Sequence, residues 1–185
     1  QFVACTVYDH FMDSKVMGAE AVAVHVYDRW FAPGKVKMNN DMDLLNARIF
    51  ADFNRQSLIG EKAPEIVMES VDGSHVELFT GKDKSGRYRV LFFYDADCAK
   101  CKLESIMLSN VLETEDFPIE LIAVYAGDNR QKWDSYVDDR LSFEVSKTKV
   151  LHLWDPTLDS DFQRKYGVLQ TPRMFLVRPD RVIIG

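Results

Sequence analysis

Two seven-residue runs constrain this chain more than any other feature. Tyr88 to Tyr94 (Tyr-Arg-Val-Leu-Phe-Phe-Tyr) and Ile119 to Tyr125 (Ile-Glu-Leu-Ile-Ala-Val-Tyr) are rich in β-branched and aromatic residues and almost continuously apolar. Each is too short to be a buried helix and lacks the alternation of a half-exposed strand. Such runs read as strands covered on both faces. Strands covered on both faces need helices on both sides, and the sequence between and after them supplies helical patterns. Residues 99–113 and 130–140 read as helices, the first with Leu103, Met107 and Val111 facing inward, the second marked by Trp133, Tyr136 and Val137. Val150 to Trp154, Met174 to Val177 and Val182 to Ile184 read as further strands. The pattern is α/β, a central sheet flanked by helices.

The part before residue 58 has a different period. Ala19, Ala23 and Tyr27 share one helical face, and Val22, Val26 and Trp30 share the adjacent one, although Val22, Val24 and Val26 would also suit a strand. After the break at Pro33-Gly34, a second helix is expected from Asn40 or Asp41, with Leu45, Ile49 and Phe53 along one side. This gives a helical segment over residues 1–57 and an α/β domain over 58–185. The domain opens with Gly60 to Pro64 and a hairpin, Ile66 to Glu69 and Val76 to Phe79, turning at Asp72-Gly73. A charged loop follows over Lys82 to Arg87. Asp155-Pro156 reads as the start of a helix that continues through Leu158, Phe162 and Tyr166 and ends at Gly167.

The 185 residues are 46% hydrophobic, which excludes a disordered chain, and carry a net charge of −6, which argues against nucleic acid as a partner. No apolar stretch approaches the roughly 20 residues of a membrane helix. Three cysteines are too few for a disulfide scaffold. Two of them, in Cys98-Ala99-Lys100-Cys101, stand directly after a central strand and at the start of a helix. Two residues between cysteines in a first helical turn let the sulfurs meet and part without refolding. The free N–H groups of the helix start favour a thiolate at Cys98, as do Lys100 and Lys102, whereas Asp95 and Asp97 oppose it; the sign of the net shift stays open. The alternatives are a zinc half-site or two inert thiols. Zinc needs four ligands, and neither a second CxxC nor a paired-histidine spacing is present among Cys5, His10, His25, His75 and His152. Cys5, amid Phe2, Val3, Val7 and Tyr8, reads as a small buried hydrophobe. Thr171-Pro172 at a strand entrance is either a plain loop end or a cis turn.

The run Phe92 to Glu104 together with Tyr166-Gly167-Val168-Leu169-Gln170-Thr171-Pro172 resembles thioredoxin-fold proteins. The closest likeness is to the TlpA/ResA-like branch of extracytoplasmic thiol-disulfide oxidoreductases, and the opening Gly60 to Pro64 is similar to that branch too. The long separation between Cys101 and Pro172 fits the extra strand and helix of that branch, and the helical segment is similar to N-terminal extensions of Bacteroidetes thioredoxin-like proteins. The resemblance implies that Cys98 attacks, that Cys101 resolves, and that Glu104 assists proton transfer. It implies that Thr171 and Pro172 form the cis-proline turn presenting backbone to the substrate. It further implies protein thiols and disulfides as partners, an upstream redox donor, no metal or organic cofactor, and a periplasmic or cell-envelope location, with anchoring through sequence upstream of Gln1. Phe92 replaces the buried Asp of thioredoxin itself, and Asp97 its usual Trp. Glu104 also has the bland reading of a surface carboxylate paired with Lys100.

Two other functions compete. A peroxiredoxin-type peroxidase is disfavoured because Asp95-Ala96-Asp97, and no Pro with Thr or Ser, precedes Cys98. A non-catalytic binding or envelope-assembly module with a structural disulfide is compatible with the fold. Domains of this type close with a C-terminal helix. A chain ending at Gly185 is expected to lack it and to rely on the N-terminal helices or a second copy to shield the sheet.

Overall fold

The computed structural model describes residues 1–79, 86–114, 119–141 and 148–185. Most of the charged loop expected over Lys82 to Arg87 lies outside the described residues.

The N-terminal segment is helical throughout: α1 (Phe2–Met12), α2 (Ala19–Val26) running into a π-helical turn at Tyr27–Phe31, and α3 (Asp41–Asn54) ending in a 3-10 turn at Arg55–Ser57. The valines that could have made a strand lie in α2, where Ala19, Ala21 and Ala23 favour helix. Asn40 caps α3, its side-chain oxygen accepting the Asp43 N–H at 2.8 Å. Ala23, Ala47 and Ala51 are fully or almost fully buried, so the helices approach closely, and Tyr8 meets Phe31 edge-on at 5.8 Å. The buried stripe of α2 is Ala19, Ala23 and Tyr27 as expected. Val22 and Trp30, however, are exposed beside a buried Val26. In α3 the inward face is Ala47, Ala51 and Asn54, while Leu45 and Ile49 face solvent.

The sheet has six strands in the order β2-β1-β5-β4-β3-β6: β1 (Val67–Ser70), β2 (His75–Glu77), β3 (Tyr88–Tyr94), β4 (Ile119–Tyr125), β5 (Lys149–Trp154) and β6 (Arg173–Val177). Strands β3, β4 and β5 are parallel, β1 and β6 run antiparallel to their neighbours, and β1 and β2 form the expected hairpin with Gly73 at φ 81°. Alternation along β3 divides the core. Leu91 and Phe93 point to one side, where Phe93 stacks on Phe162 at 5.7 Å and meets Tyr166 at a tilt at 5.1 Å. Phe92 and Tyr94 point to the other, under α4 (Ala99–Thr114) and α5 (Arg130–Arg140), where Tyr94 stacks on Tyr136 at 4.6 Å. Within this sheet Arg89, Glu120 and Lys149 are neighbours in register, and Glu120 accepts from both cations at 2.9 and 3.0 Å.

Three expectations need correction. The face of α4 that turns inward carries Cys101, Ser105 and Leu112; Leu103, Met107 and Val111 are 64%, 61% and 55% exposed. Burying Cys101 fixes the rotation of the helix, and residues two positions further on fall on the opposite side. The helix expected from Asp155 starts only at α6 (Phe162–Lys165). Asp155 caps a loop instead, accepting from the Asp159 and Ser160 N–H groups, and Leu158 and Asp161 sit at positive φ, which no helix permits. Val182 to Ile184 is not a regular strand. Ile183 is shared between Gly60-Glu61 and β6, its N–H donating to the Glu61 carbonyl and its carbonyl accepting from Gly60. Met174 and Leu176 of β6 share the sheet face of Phe92 and Val90 and are both exposed.

Candidate active site

The site lies where β3 hands over to α4. Asp95 turns the chain, its carboxylate accepting the Asp97 N–H at 2.8 Å and its carbonyl the Cys98 N–H at 3.2 Å. The Cys98 carbonyl accepts the first helical hydrogen bond, from Lys102 N–H at 3.2 Å, so Cys98 occupies the position of a helix cap. Its sulfur does what a capping oxygen does elsewhere, accepting the Cys101 N–H at 3.1 Å. Both cysteines are free thiols, Cys98 partly exposed and Cys101 fully buried.

The Thr171-Pro172 bond is cis, and the turn it forms reaches the sulfurs: the Cys98 thiol donates to the Thr171 carbonyl at 3.4 Å. The structure therefore brings Cys98, Cys101, Thr171 and the Thr171-Pro172 bond together. Glu104 lies on the same helix, half-buried, with neither a hydrogen bond nor an ion pair to Lys100 or to either cysteine. Among the described residues no group of three or more His, Cys, Asp or Glu side chains is placed to hold a metal ion.

The two thiols are driven apart electrostatically. Partial burial pushes Cys98 up, but hydrogen bonds from the Cys101 thiol and N–H, the Thr171 side chain and the Lys100 N–H outweigh it, so the net direction is down. Burial pushes the Cys101 thiol up to about 11, reinforced by its hydrogen bond to Cys98. Asp97 is tied to Lys132 of α5 at 2.6 Å, which holds its carboxyl below the ordinary carboxylate value. The pair borders an open cleft of about 410 Å³ that Lys102, Tyr136 and Arg140 also line.

Sequence reasoning missed several residues around the site. Beneath Cys101, Ser105 donates to the Cys101 carbonyl at 2.9 Å and shares a 2.8 Å hydrogen bond with Tyr136. A serine at the inward i+4 position from Cys101 was the visible clue. Arg173, next to Pro172, donates to the Asn54 side-chain oxygen at 3.0 Å, joining α3 to the turn.

The fold matches the thioredoxin domain of a thiol-disulfide oxidoreductase from Bacteroides vulgatus with a TM-score of 0.57 and 20% identity, over 69% of this chain and 86% of that one. It matches the C-terminal domain of a thiol-disulfide oxidoreductase from Bacteroides thetaiotaomicron with a TM-score of 0.58 and 18% identity, over 70% and 86% of the two chains. A thioredoxin-like protein from Bacteroides caccae matches over 98% of this chain and 71% of its own, with a TM-score of 0.60 and 12% identity, so the likeness extends to the helical segment. No curated protein matches the chain. The AhpC/TSA family matches residues 59–185, more than half of the chain, and to that family the protein belongs.

Proposed function

We propose that the protein is a thiol-disulfide oxidoreductase that exchanges disulfides with protein partners through Cys98 and Cys101, working outside the cytoplasm in the periplasm or cell envelope. The observation that carries the reading is the Cys98 sulfur in the cap position of α4, 3.1 Å from the Cys101 N–H and beside Thr171. The Cys98 thiolate attacks one sulfur of a partner disulfide, and the other sulfur leaves as a thiolate that takes up a proton. Cys101 then loses its proton and attacks the Cys98 sulfur of the mixed disulfide, releasing the second partner thiol and closing Cys98–Cys101. Two electrons and two protons pass from the dithiol to the partner, and an upstream dithiol donor restores the pair by the reverse steps. The backbone at Thr171 and Pro172 lies next to Cys98 and is the surface against which the partner chain aligns. The chemistry needs no metal and no organic cofactor.

The test is stopped-flow reduction of a peptide disulfide by the reduced protein, with Cys98→Ser as control and hydrogen peroxide as a parallel substrate. Stoichiometric thiol release that vanishes in the variant supports the reading. Exchange no faster than free dithiothreitol would favour a non-catalytic binding module instead. Faster reaction with peroxide than with the peptide would favour a peroxidase.

A further inference from the structure

The helical segment approaches the loop beside the site through the stretch around Met12 to Glu20 and through the last turn of α3, and at that turn a side chain makes a direct hydrogen bond. Asn54 there is 5% exposed, and both ends of its side chain are engaged: the amide nitrogen donates to the Phe50 carbonyl at 2.8 Å, and the oxygen accepts from Arg173 at 3.0 Å. Arg173 follows Pro172 directly and opens β6 opposite Phe93. Its guanidinium lies over the Phe175 ring at 5.1 Å, mostly buried, and its Nε finds no hydrogen-bond partner. Asn54 is thus the hydrogen-bond acceptor of this guanidinium among the described residues, with the Glu20 carboxylate nearby adding charge attraction, and a buried cation without its hydrogen-bond acceptor does not stay where it is.

The other end of the same loop is held by the same turn. Gly167 has φ +60°, and a Cβ there would stand 2.8 Å from the Phe53 carbonyl oxygen and 3.2 Å from the Asn54 side-chain oxygen. Residues 167 and 173 therefore both abut the end of α3, and the loop between them carries Thr171, whose carbonyl meets Cys98. The span between Asn54 and Arg173 is 119 residues of sequence, so no local preference can substitute for the contact.

We propose that Asn54 is a positioning residue for disulfide exchange: through Arg173 it holds the Thr171-Pro172 turn against Cys98, which makes the helical segment a working part of the site. The proposal rests on the oxidoreductase reading above. It acts through geometry, since a turn that shifts by an ångström loses both the partner's alignment and the Thr171 contact to the sulfur.

The experiment compares Asn54→Leu, which removes the acceptor, with Asn54→Asp, which keeps an oxygen for Arg173. Two quantities are read on folded protein, checked by near-UV circular dichroism. One is the rate of insulin disulfide reduction. The other is the pH midpoint of Cys98 alkylation by iodoacetamide. The leucine variant is expected to lose about tenfold or more in rate and to move the midpoint away from the wild-type value, because the contacts of the Thr171 turn to the Cys98 sulfur change. The aspartate variant is expected to restore both. Wild-type values for both readouts in the leucine variant would overturn the proposal, as would equal loss in both variants. Should the leucine variant not fold, Arg173→Met breaks the pair from the other side with α3 intact and carries the same expectations. If the wild type reduces no disulfide, the functional reading fails, while the alkylation midpoint still decides whether Asn54 positions the turn.

Discussion

Limiting iodoacetamide should modify Cys98 well ahead of Cys101 and Cys5. Alkylation proceeds through the thiolate, so the ratio of rates begins with the ratio of ionised fractions. Cys101 sits near 11, and Cys98 lies below the ordinary thiol value of 9.0. At neutral pH a gap of at least two pH units makes the thiolate about 100 times more abundant at Cys98. A less basic thiolate is also a weaker nucleophile, and a Brønsted coefficient near 0.45 returns roughly a factor of eight. The net preference from ionisation alone is then about tenfold or more. Access adds to it, because Cys101 has 0% exposure and Cys5 only 7%. The assay is half an equivalent of iodoacetamide on fully reduced protein at pH 7.5, followed by peptide mapping by mass spectrometry. Comparable labelling of Cys101, or any preference for Cys5, would refute the cap geometry on which the reasoning depends.

Glu120→Gln should lower stability by roughly 2 kcal/mol, read as a fall in melting temperature of about 4–8 °C, because two cations lose the charge they meet at 2.9 and 3.0 Å. Burial pushes the Glu120 carboxyl up, but Arg89 and Lys149 outweigh it and hold it below its ordinary value. This contribution is therefore present above the unfolded carboxyl value and lost as pH falls through the folded one, so the melting temperature of the wild type should fall more on acidification than that of the variant; parallel curves would contradict this. Gly167→Ala should cost about 1–2 kcal/mol for the positive φ alone, and more for the 2.8 Å approach to the Phe53 carbonyl, with an unchanged melting temperature refuting the close contact. Phe93→Ala should cost about 3–5 kcal/mol, since its ring is fully buried among Phe162, Tyr166 and Phe175, and a loss below 1 kcal/mol by denaturant titration would mean that this layer is not packed as described.

Where one force dominates a segment, its structure was legible from the residues. The runs Tyr88 to Tyr94 and Ile119 to Tyr125 became β3 and β4 with the expected ends, because nothing but the two-sided core can accept seven such residues in a row. Where two forces compete, it was not. Along α4 the apolar stripe Leu103, Met107 and Val111 is stronger than the stripe Cys101, Ser105 and Leu112, so periodicity points to the wrong face; the sulfur geometry, not hydrophobicity, sets the rotation. At Asp155-Pro156 the carboxylate had two sets of N–H groups to choose from, and it capped a loop through Asp159 and Ser160 instead of starting the helix. The Asn54–Arg173 contact joins residues that no window of sequence contains together.

The sign of the Cys98 shift was undecidable from sequence for a related reason. Asp95, Asp97, Lys100 and Lys102 were the visible terms, and they nearly cancel as a count of charges. In the folded chain Asp97 has turned to Lys132, which comes from α5 and forms an exposed pair at 2.6 Å, and Asp95 is occupied in shaping the turn. The sulfur answers to nearer, uncharged donors, the Cys101 and Lys100 N–H groups and the Thr171 side chain. Asp97, Lys100 and Lys102 are exposed, so the surrounding water weakens their pull on the sulfur, whereas the hydrogen-bond donors are fixed against it by the helix start and by the turn. Reactivity at Cys98 is thus a property of two backbone elements and their relative placement, and that placement is what the last turn of α3 holds.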